Sequence, residues 1–220
     1  MPSIAEAQGA ADSLLARVDH LVFATPDLNR GVDEIERLLG IRASAGGPHP
    51  GRGTRNALVA LGPHTYLEIM APDPDQPPPS TPRPFGLDLL THSRLVAWAA
   101  NGHDLEQLRE TAGRNGVELG MVLAGSRQRP DGVLLRWKFT DPWWVVADGL
   151  VPFFIDWGRS PHPAQIAAKG ATLLALRAEH PHPKRVQVLL RGISLEMPVE
   201  AGPTALIATI DSPRGRVELR

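Results

Sequence analysis

The chain has 220 residues, and its 23 basic and 24 acidic side chains give a formal net charge of -1 at pH 7. Without an excess of positive charge there is little to attract nucleic acid or an anionic membrane, so we predict neither as a partner. The sequence has no cysteine, which excludes disulfides, thiolate metal sites and cysteine nucleophiles. A metal would need His, Asp or Glu ligands, and eight histidines are present.

The N-terminal 16 residues carry neither a basic start nor a long apolar run. A secretory signal peptide needs both features, and a membrane-spanning helix needs about 18 or more consecutive apolar residues, which occur nowhere in the sequence. We therefore predict a flexible lead-in over residues 1–16. We also expect a soluble, cytoplasmic protein.

A first structural unit is predicted over residues 17–72. A β-rich run at residues 18–24 ends before a proline, and an amphipathic helix follows at residues 28–39. Asp27 is placed to cap the start of this helix, and Gly40 is placed to end it. Two further strands are predicted at residues 55–61 and 65–70. The unit therefore has the order strand, helix, strands.

The same order of elements recurs twice along the chain. A second unit is predicted over residues 93–158, with a helix at 105–114. A third, shorter βαβββ-like unit is predicted over residues 166–220, packed on the same body. Between the first two units lies a segment at residues 71–84 with seven prolines, which favours an extended crossover. The 21 glycines and 22 prolines of the chain fall largely at such boundaries, so they indicate many short elements separated by turns.

Several local motifs resemble those of one known family. They are DHLV at residues 19–22, GPHPGRGTRN at 47–56, YLEIMAP at 66–72, DGVLLRW at 131–137, PFFIDWG at 152–158 and HPA at 162–164. With the repeated βαβββ unit, they resemble the glyoxalase-like domain branch of the vicinal oxygen chelate (glyoxalase/bleomycin resistance/dioxygenase) superfamily. The resemblance covers about residues 17–165. It implies an α+β fold in which tandem βαβββ units form a cup-shaped, mixed β-sheet barrel with helices outside.

The resemblance also implies a divalent metal ion, such as Zn, Fe, Mn or Ni, inside the cup. The ligands would be a histidine from a first strand and a glutamate from a last strand, and His20 and Glu68 hold these positions in the first unit. Strand alternation lets both side chains face one cup, and an ionised glutamate among apolar neighbours favours a compensating cation. The second unit has no histidine in its first strand. A hydrogen-bonded His20–Glu68 pair without metal therefore stays open as an alternative.

Other residues are candidates for catalysis or substrate binding. His49, in a Gly/Pro-rich stretch, is either a third ligand or general base, or an exposed loop histidine. Asp156 is either a ligand or acid/base group on the last strand of the second unit, or the cap of the loop after it. Arg136 is predicted as a carboxylate clamp, with a solvated strand face as the alternative. The remaining substrate-binding candidates, each of which also has a purely structural interpretation, are Asn56, Tyr66, Trp98 and Phe154.

These features predict a protein that binds a small oxygenated organic molecule. As an enzyme it would be a divalent-metal-dependent lyase, isomerase or dioxygenase. The alternative is a metal-free protein that binds or sequesters a small molecule, which the missing second-unit histidine favours. Two adjacent tryptophans at residues 143–144 suggest either a lid or an association surface, and the association surface predicts a homodimer.

Overall fold

The computed structural model of the protein describes residues 14–129 and 131–220. Most of the lead-in predicted for residues 1–16 therefore lies outside the described residues. Within these described residues, three α-helices have both ends defined: α1 (Leu28–Leu39), α2 (Leu105–Arg114) and α3 (Pro183–Gly192). The twelve strands are β1 (Val18–Ala24), β2 (Ser44–His49), β3 (Thr54–Gly62), β4 (Thr65–Pro72), β5 (Arg94–Asn101), β6 (Val122–Gln128), β7 (Leu134–Thr140), β8 (Phe153–Asp156), β9 (Thr172–His180), β10 (Val199–Ala201), β11 (Ala205–Ser212) and β12 (Gly215–Leu219).

Eight of these strands form one curled sheet in the order β2-β3-β4-β1-β5-β8-β7-β6. Each half of the sheet is one βαβββ unit, and the halves join where β1 pairs with β5 in antiparallel orientation. Within each half the first strand pairs in parallel with the last, β1 with β4 and β5 with β8. The two edge strands approach each other, since the Arg127 side chain on β6 donates a hydrogen bond to the carbonyl of Gly46 on β2. The sheet is therefore a nearly closed cup, which confirms the predicted fold class.

A second sheet of four strands has the order β10-β9-β11-β12. It is built from residues 172–219, whose elements again follow the order strand, helix, three strands. Backbone hydrogen bonds tie this part of the chain to the first sheet, from Ala60 to the carbonyl of Ala168 and from Leu95 to the carbonyl of Arg220. The domain boundaries predicted from the sequence stay a prediction.

The main hydrophobic core lies on the face of the eight-stranded sheet that is turned away from the cup. It takes Leu21 and Phe23 from β1, Val32 and Ile35 from α1, and further side chains from α2, α3 and the second sheet. Helix α1 begins at Asp27, which accepts a hydrogen bond from the backbone N–H of Arg30, and it ends at Gly40 in the left-handed conformation. Because β1 buries one face in this core, its other face, with His20, is turned into the cup.

One strand differs from expectation in a way that affects the site. The Gly/Pro-rich stretch around His49 was predicted as a loop, but residues 44–49 form β2 and pair with β3. Pro48 is tolerated there because β2 is an edge strand of the sheet. An edge strand pairs on one side only, so the N–H that proline lacks is not needed for a hydrogen bond to a neighbouring strand. The imidazole of His49 is therefore held by a strand.

Candidate functional site

A cavity opens inside the cup and encloses about 560 Å³ of atom-free space, part of it at the open mouth. We call it the cup cavity, and its lining residues are His20, His49, Arg52, Thr54, Asn56, Tyr66, Glu68, Met70, Pro84, Phe85, Arg127, Trp137, Phe139, Pro142, Phe153, Ile155 and Trp157. Both halves of the eight-stranded sheet contribute to it.

His20 and Glu68 are brought together by the parallel pairing of β1 with β4, in which Val22 lies opposite Glu68. Both side chains are buried. The distance from His20 Nε2 to the nearer carboxylate oxygen of Glu68 is 3.8 Å, which is too long for a hydrogen bond. The predicted alternative of a hydrogen-bonded pair is therefore not what the geometry shows. The imidazole stacks on the Tyr66 ring with 4.7 Å between ring centroids.

Asp19 orients the His20 ring from behind. Its carboxylate lies 2.7 Å from His20 Nδ1, so the neutral imidazole donates its proton there and keeps the Nε2 lone pair free. Strict alternation would place these neighbours on opposite faces of β1. A register shift between Val18 and His20 in the pairing with β5 interrupts that alternation. This is the arrangement in which a carboxylate fixes the tautomer of a metal-binding histidine.

Two more donors reach the same carboxylate. Trp157 Nε1 donates to Asp19 at 3.0 Å, and His162 Nε2 lies 3.1 Å from it. The backbone N–H of Ala164 donates to His162 Nδ1, so the proton of that ring is on Nε2 and donates to Asp19. Burial by itself raises the pKa of Asp19, but the hydrogen bonds from His162 and His20 outweigh it and the pKa lies below its ordinary value. Asp19 therefore stays ionised beneath the cup cavity.

His49 approaches Glu68 from the other side. Its Nε2 lies 3.7 Å from a Glu68 oxygen, and its Nδ1 lies 2.9 Å from the hydroxyl of Thr54. The amide nitrogen of Asn56 donates to Glu68 and lies 3.2 Å from His49 Nε2. Burial lowers the pKa of His49 to about 4, although the nearby Glu68 carboxylate acts in the opposite direction. The ring is neutral at pH 7 and its Nε2 is an acceptor.

Two arginines line the cup cavity that were not among the predicted site residues. Arg127 lies on β6, and Arg52 lies in the turn between β2 and β3. Arg52 stands within the GPHPGRGTRN motif, so the sequence held a signal for it. Nothing in the sequence singled out Arg127, because its place in the cup depends on the approach of β6 to β2.

Comparisons with known proteins agree with this architecture. The glyoxalase-like domain family matches residues 18–193. This chain belongs to the glyoxalase-like domain family. The membership confirms the resemblance to the vicinal oxygen chelate superfamily. No curated protein matches the sequence.

One solved structure of a distant protein shares the fold of this glyoxalase-like chain, and two others are similar to part of it. A hypothetical protein from Staphylococcus aureus has 14% identity and a TM-score of 0.61, covering 91% of this chain and 83% of its own. Methylmalonyl-CoA epimerase from Mycobacterium tuberculosis has 19% identity and a TM-score of 0.40, covering 64% and 87%. The Streptomyces coelicolor epimerase in complex with 2-nitronate-propionyl-CoA has 19% identity and a TM-score of 0.44, covering 68% and 99%.

Three side chains of the glyoxalase-like cup have the ligand atoms that a divalent ion needs, at distances slightly longer than those of a bound ion. His20 Nε2, His49 Nε2 and Glu68 are borderline and hard ligands of the kind that zinc, iron, manganese and nickel accept. Two ligands of a tetrahedral zinc lie about 3.4 Å apart, whereas the imidazole nitrogens lie 3.7 and 3.8 Å from Glu68. Each imidazole would therefore have to move a few tenths of an ångström closer to Glu68, and the two now approach different oxygens of its carboxylate. Accordingly, residues 14–129 and 131–220 contain no three His, Asp or Glu side chains already placed to hold a metal.

The second half of the glyoxalase-like cup adds no ligand to these three. From β8 it presents Phe153 and Ile155 to the cup cavity. The resemblance implies metal ligands from both units. In this chain, the candidate ligands all come from the first unit.

Four predicted site residues lie away from the cup cavity. Trp98 and Phe154 are fully buried in the main core, and Trp98 Nε1 donates to the carbonyl of Leu150. Arg136 and Asp156 line a separate groove on the outside of the cup, where Asp156 accepts a hydrogen bond from the backbone of Gly158. The other predicted residues, His20, His49, Asn56, Tyr66 and Glu68, all line the cup cavity.

Across the described residues, no helix is both long enough and apolar enough to span a membrane.

Proposed function

We propose that the cup cavity binds a small oxygenated organic molecule through a divalent ion held by His20, His49 and Glu68. The observation that carries this proposal is the convergence of two imidazole Nε2 atoms on one carboxylate, at 3.8 and 3.7 Å, inside a cavity. When bound, a divalent ion would polarise adjacent oxygens of the ligand, which is the chemistry of a lyase, isomerase or dioxygenase of the vicinal oxygen chelate type.

The residues of the chain itself prepare this site. Asp19 and Thr54 each engage an Nδ1 atom, so that His20 and His49 both present Nε2 to the cavity. The amide of Asn56 holds Glu68 in place. The surrounding aromatic side chains exclude water, which strengthens any charge interaction inside the cup. These aromatic lining residues are Tyr66, Phe85, Trp137, Phe139, Phe153 and Trp157.

Metal titration tests the proposal. Chelator-treated protein would be titrated with Mn, Fe, Zn and Ni salts, and the bound metal measured by native mass spectrometry and calorimetry. We expect about one ion per chain for wild type, and at least a tenfold loss of affinity in His20→Ala and in Glu68→Gln. His92→Ala is the matched control, because this histidine is exposed and outside the cup cavity. A wild-type protein that binds none of the four metals would disprove the metal proposal.

A metal-free binding protein is the second candidate. It is supported by Phe153 and Ile155, which make the β8 side of the cup cavity apolar. A small-molecule ligand that binds with equal affinity before and after chelator treatment, and equally to wild type and Glu68→Gln, would favour this candidate.

The predicted homodimer and cytoplasmic location stay predictions. Trp144 is 55% exposed and Val145 is 54% exposed, which supports a contact surface at this loop. Light scattering after size-exclusion chromatography, on wild type and Trp144→Ser, tests the dimer: a monomeric wild type would contradict it.

A further inference from the structure

The cup cavity contains two guanidinium groups that form no ion pair with any described residue. Arg127 is only 3% exposed, yet among the described residues no carboxylate lies within ion-pair distance of it or of Arg52. A buried guanidinium without a counter-ion is costly, so such groups are normally paired. The placement of both groups in one cavity therefore points to a partner that the chain does not supply.

Each guanidinium is held by one hydrogen bond and keeps other donors free. Within the described residues, Arg127 uses one terminal nitrogen on the Gly46 carbonyl, and Arg52 uses one on the carbonyl of Ala124. Arg52 also lies over the Phe139 ring, 4.6 Å from its centroid. A guanidinium has five N–H donors, so each side chain keeps several for a ligand. The backbone and ring contacts fix both groups in place before a ligand binds.

The charges of the cup cavity favour an anion. Its charged lining residues are two arginines and one glutamate. The carboxylate of Asp19, beneath the cavity, is already engaged by His20, Trp157 and His162, so it does not pair with either arginine. In contrast, the chain as a whole has a net charge of -1. Burial lowers the pKa of both arginines while Glu68 raises it, as expected of cations that share one poorly solvated site. A divalent ion would add further positive charge.

We propose that the ligand of the cup cavity carries a carboxylate, and that Arg127 and Arg52 bind it. A planar guanidinium group can donate hydrogen bonds to both oxygens of a carboxylate. A neutral amide or ester lacks the negative charge and the second equivalent oxygen acceptor. The inference has a second part, which rests on the proposed function. An oxygen vicinal to the carboxylate, as in a small hydroxy acid or oxo acid, would lie at the cluster of His20, His49 and Glu68.

Calorimetric titration with malate and its neutral diamide, malamide, tests this inference. The two probes have nearly the same shape, and malate has both carboxylates and an adjacent hydroxyl. On metal-free wild type we expect malate to bind at least about tenfold more tightly than malamide. We expect Arg127→Gln and Arg52→Gln each to lose about tenfold or more of the malate affinity, with little change for malamide.

Arg136→Gln is the matched control, because Arg136 is exposed and lies outside the cup cavity. It should keep the wild-type affinity for malate. Arg127 also links β2 to β6, so the melting temperature of each variant would be measured alongside. If Arg127→Gln does not fold, Arg52→Gln alone decides, because the contact of Arg52 with β6 is one exposed hydrogen bond from a turn to the carbonyl of Ala124.

The outcomes separate this inference from the proposed function. Equal affinity of wild type for malate and malamide, or no binding of either, would overturn the carboxylate assignment. Unchanged malate affinity in Arg52→Gln and Arg127→Gln would also overturn it. A malate preference that depends on both arginines, in a protein that binds no metal, would support the carboxylate assignment and disprove only the metal site.

Discussion

Asp19 and His20 are consecutive residues of one strand, and yet the carboxylate of Asp19 lies 2.7 Å from Nδ1 of His20. Asp19 also receives hydrogen bonds from Trp157 and His162, which come from the far side of the cup. Its negative charge is therefore held in a nearly dry position by three donors. This pair links the stability of the fold to the orientation of the site.

Replacing Asp19 by Asn tests that link. Asn cannot accept from all three donors as a carboxylate does, so we expect about 1–3 kcal/mol less free energy of unfolding in urea. With the His20 tautomer no longer fixed, we also expect a loss of about 10-fold to 100-fold in metal affinity by calorimetry. His162→Gln is the comparison, because it removes one donor from Asp19 and leaves the His20 contact intact. Equal metal affinity in wild type and Asp19→Asn would contradict the orienting role.

The stability of the metal-free protein should fall at mildly acidic pH because of His49. Its pKa is lowered to about 4 in the fold, against 6.5 for an ordinary histidine. Between these values the unfolded chain binds a proton that the folded chain does not, so the free energy of unfolding decreases as the pH falls. The expected loss is about 2 kcal/mol from about pH 7 to about pH 5. Asp19, whose pKa is lowered, contributes to such a loss only below its ordinary value of 3.8.

Urea denaturation of chelator-treated protein at several pH values measures this effect. His49→Gln should reduce the slope of stability against pH over that interval. His103→Gln, at a side chain that is 95% exposed, should leave the slope as in wild type. The same slope in His49→Gln and wild type would show that His49 titrates normally.

Trp98 is expected to stabilise the core and to take no part in ligand binding. The ring is fully buried, and its Nε1 donates to the Leu150 carbonyl at 2.9 Å. Trp98→Phe should therefore lower the free energy of unfolding by about 1–3 kcal/mol, through the lost hydrogen bond and the space left behind. Trp144→Phe, at a half-exposed ring, should change it by less than about 0.5 kcal/mol. Altered metal or malate affinity in folded Trp98→Phe would contradict this assignment.

A matched pair of glycines isolates one close contact in the turn before β8. Gly149 and Gly215 both have φ of 89°, but a Cβ at Gly149 would lie 2.2 Å from the carbonyl oxygen of Val96, whereas none of the described atoms lies within 4 Å of one at Gly215. Gly215→Ala should therefore cost only the backbone strain, about 1–2 kcal/mol. Gly149→Ala should cost clearly more, since the backbone must also shift. Equal melting temperatures of the two variants would contradict the clash.

The sequence by itself determined the repeated unit and the periodicity of its strands. Side chains at every second position share a face, so Tyr66 and Glu68 could be placed together from the pattern, and the family resemblance placed His20 in the same cup. The helix boundaries at residues 28–39 and 105–114 also agree with prediction, because a capping aspartate precedes each helix. These features depend on neighbours along the chain.

Only the tertiary structure decided which face of each strand of the second unit is turned into the cup. Alternation separates Arg136 from Trp137 and Phe154 from Ile155, but it does not say which set lies inside. The cup cavity takes Trp137, Phe139 and Ile155, so the predicted Arg136 and Phe154 fall on the other side. On β8 the main core covers Phe154, whereas on β7 the face with Arg136 is exposed, so the orientation depends on what packs there from elements distant in sequence.

The charged groups of the cup show the same dependence. Arg127 reaches Gly46 across 81 positions of sequence, and Asp19 reaches His162 across 143. The strand register brings these groups together. The local sequence around each residue does not predict these long-range contacts. Local periodicity thus determined the elements, and the resemblance supplied the two proposed ligands, His20 and Glu68. Curling of the sheet placed the buried charges around them, because only a nearly closed cup brings its edge strands and the ends of its two halves into contact.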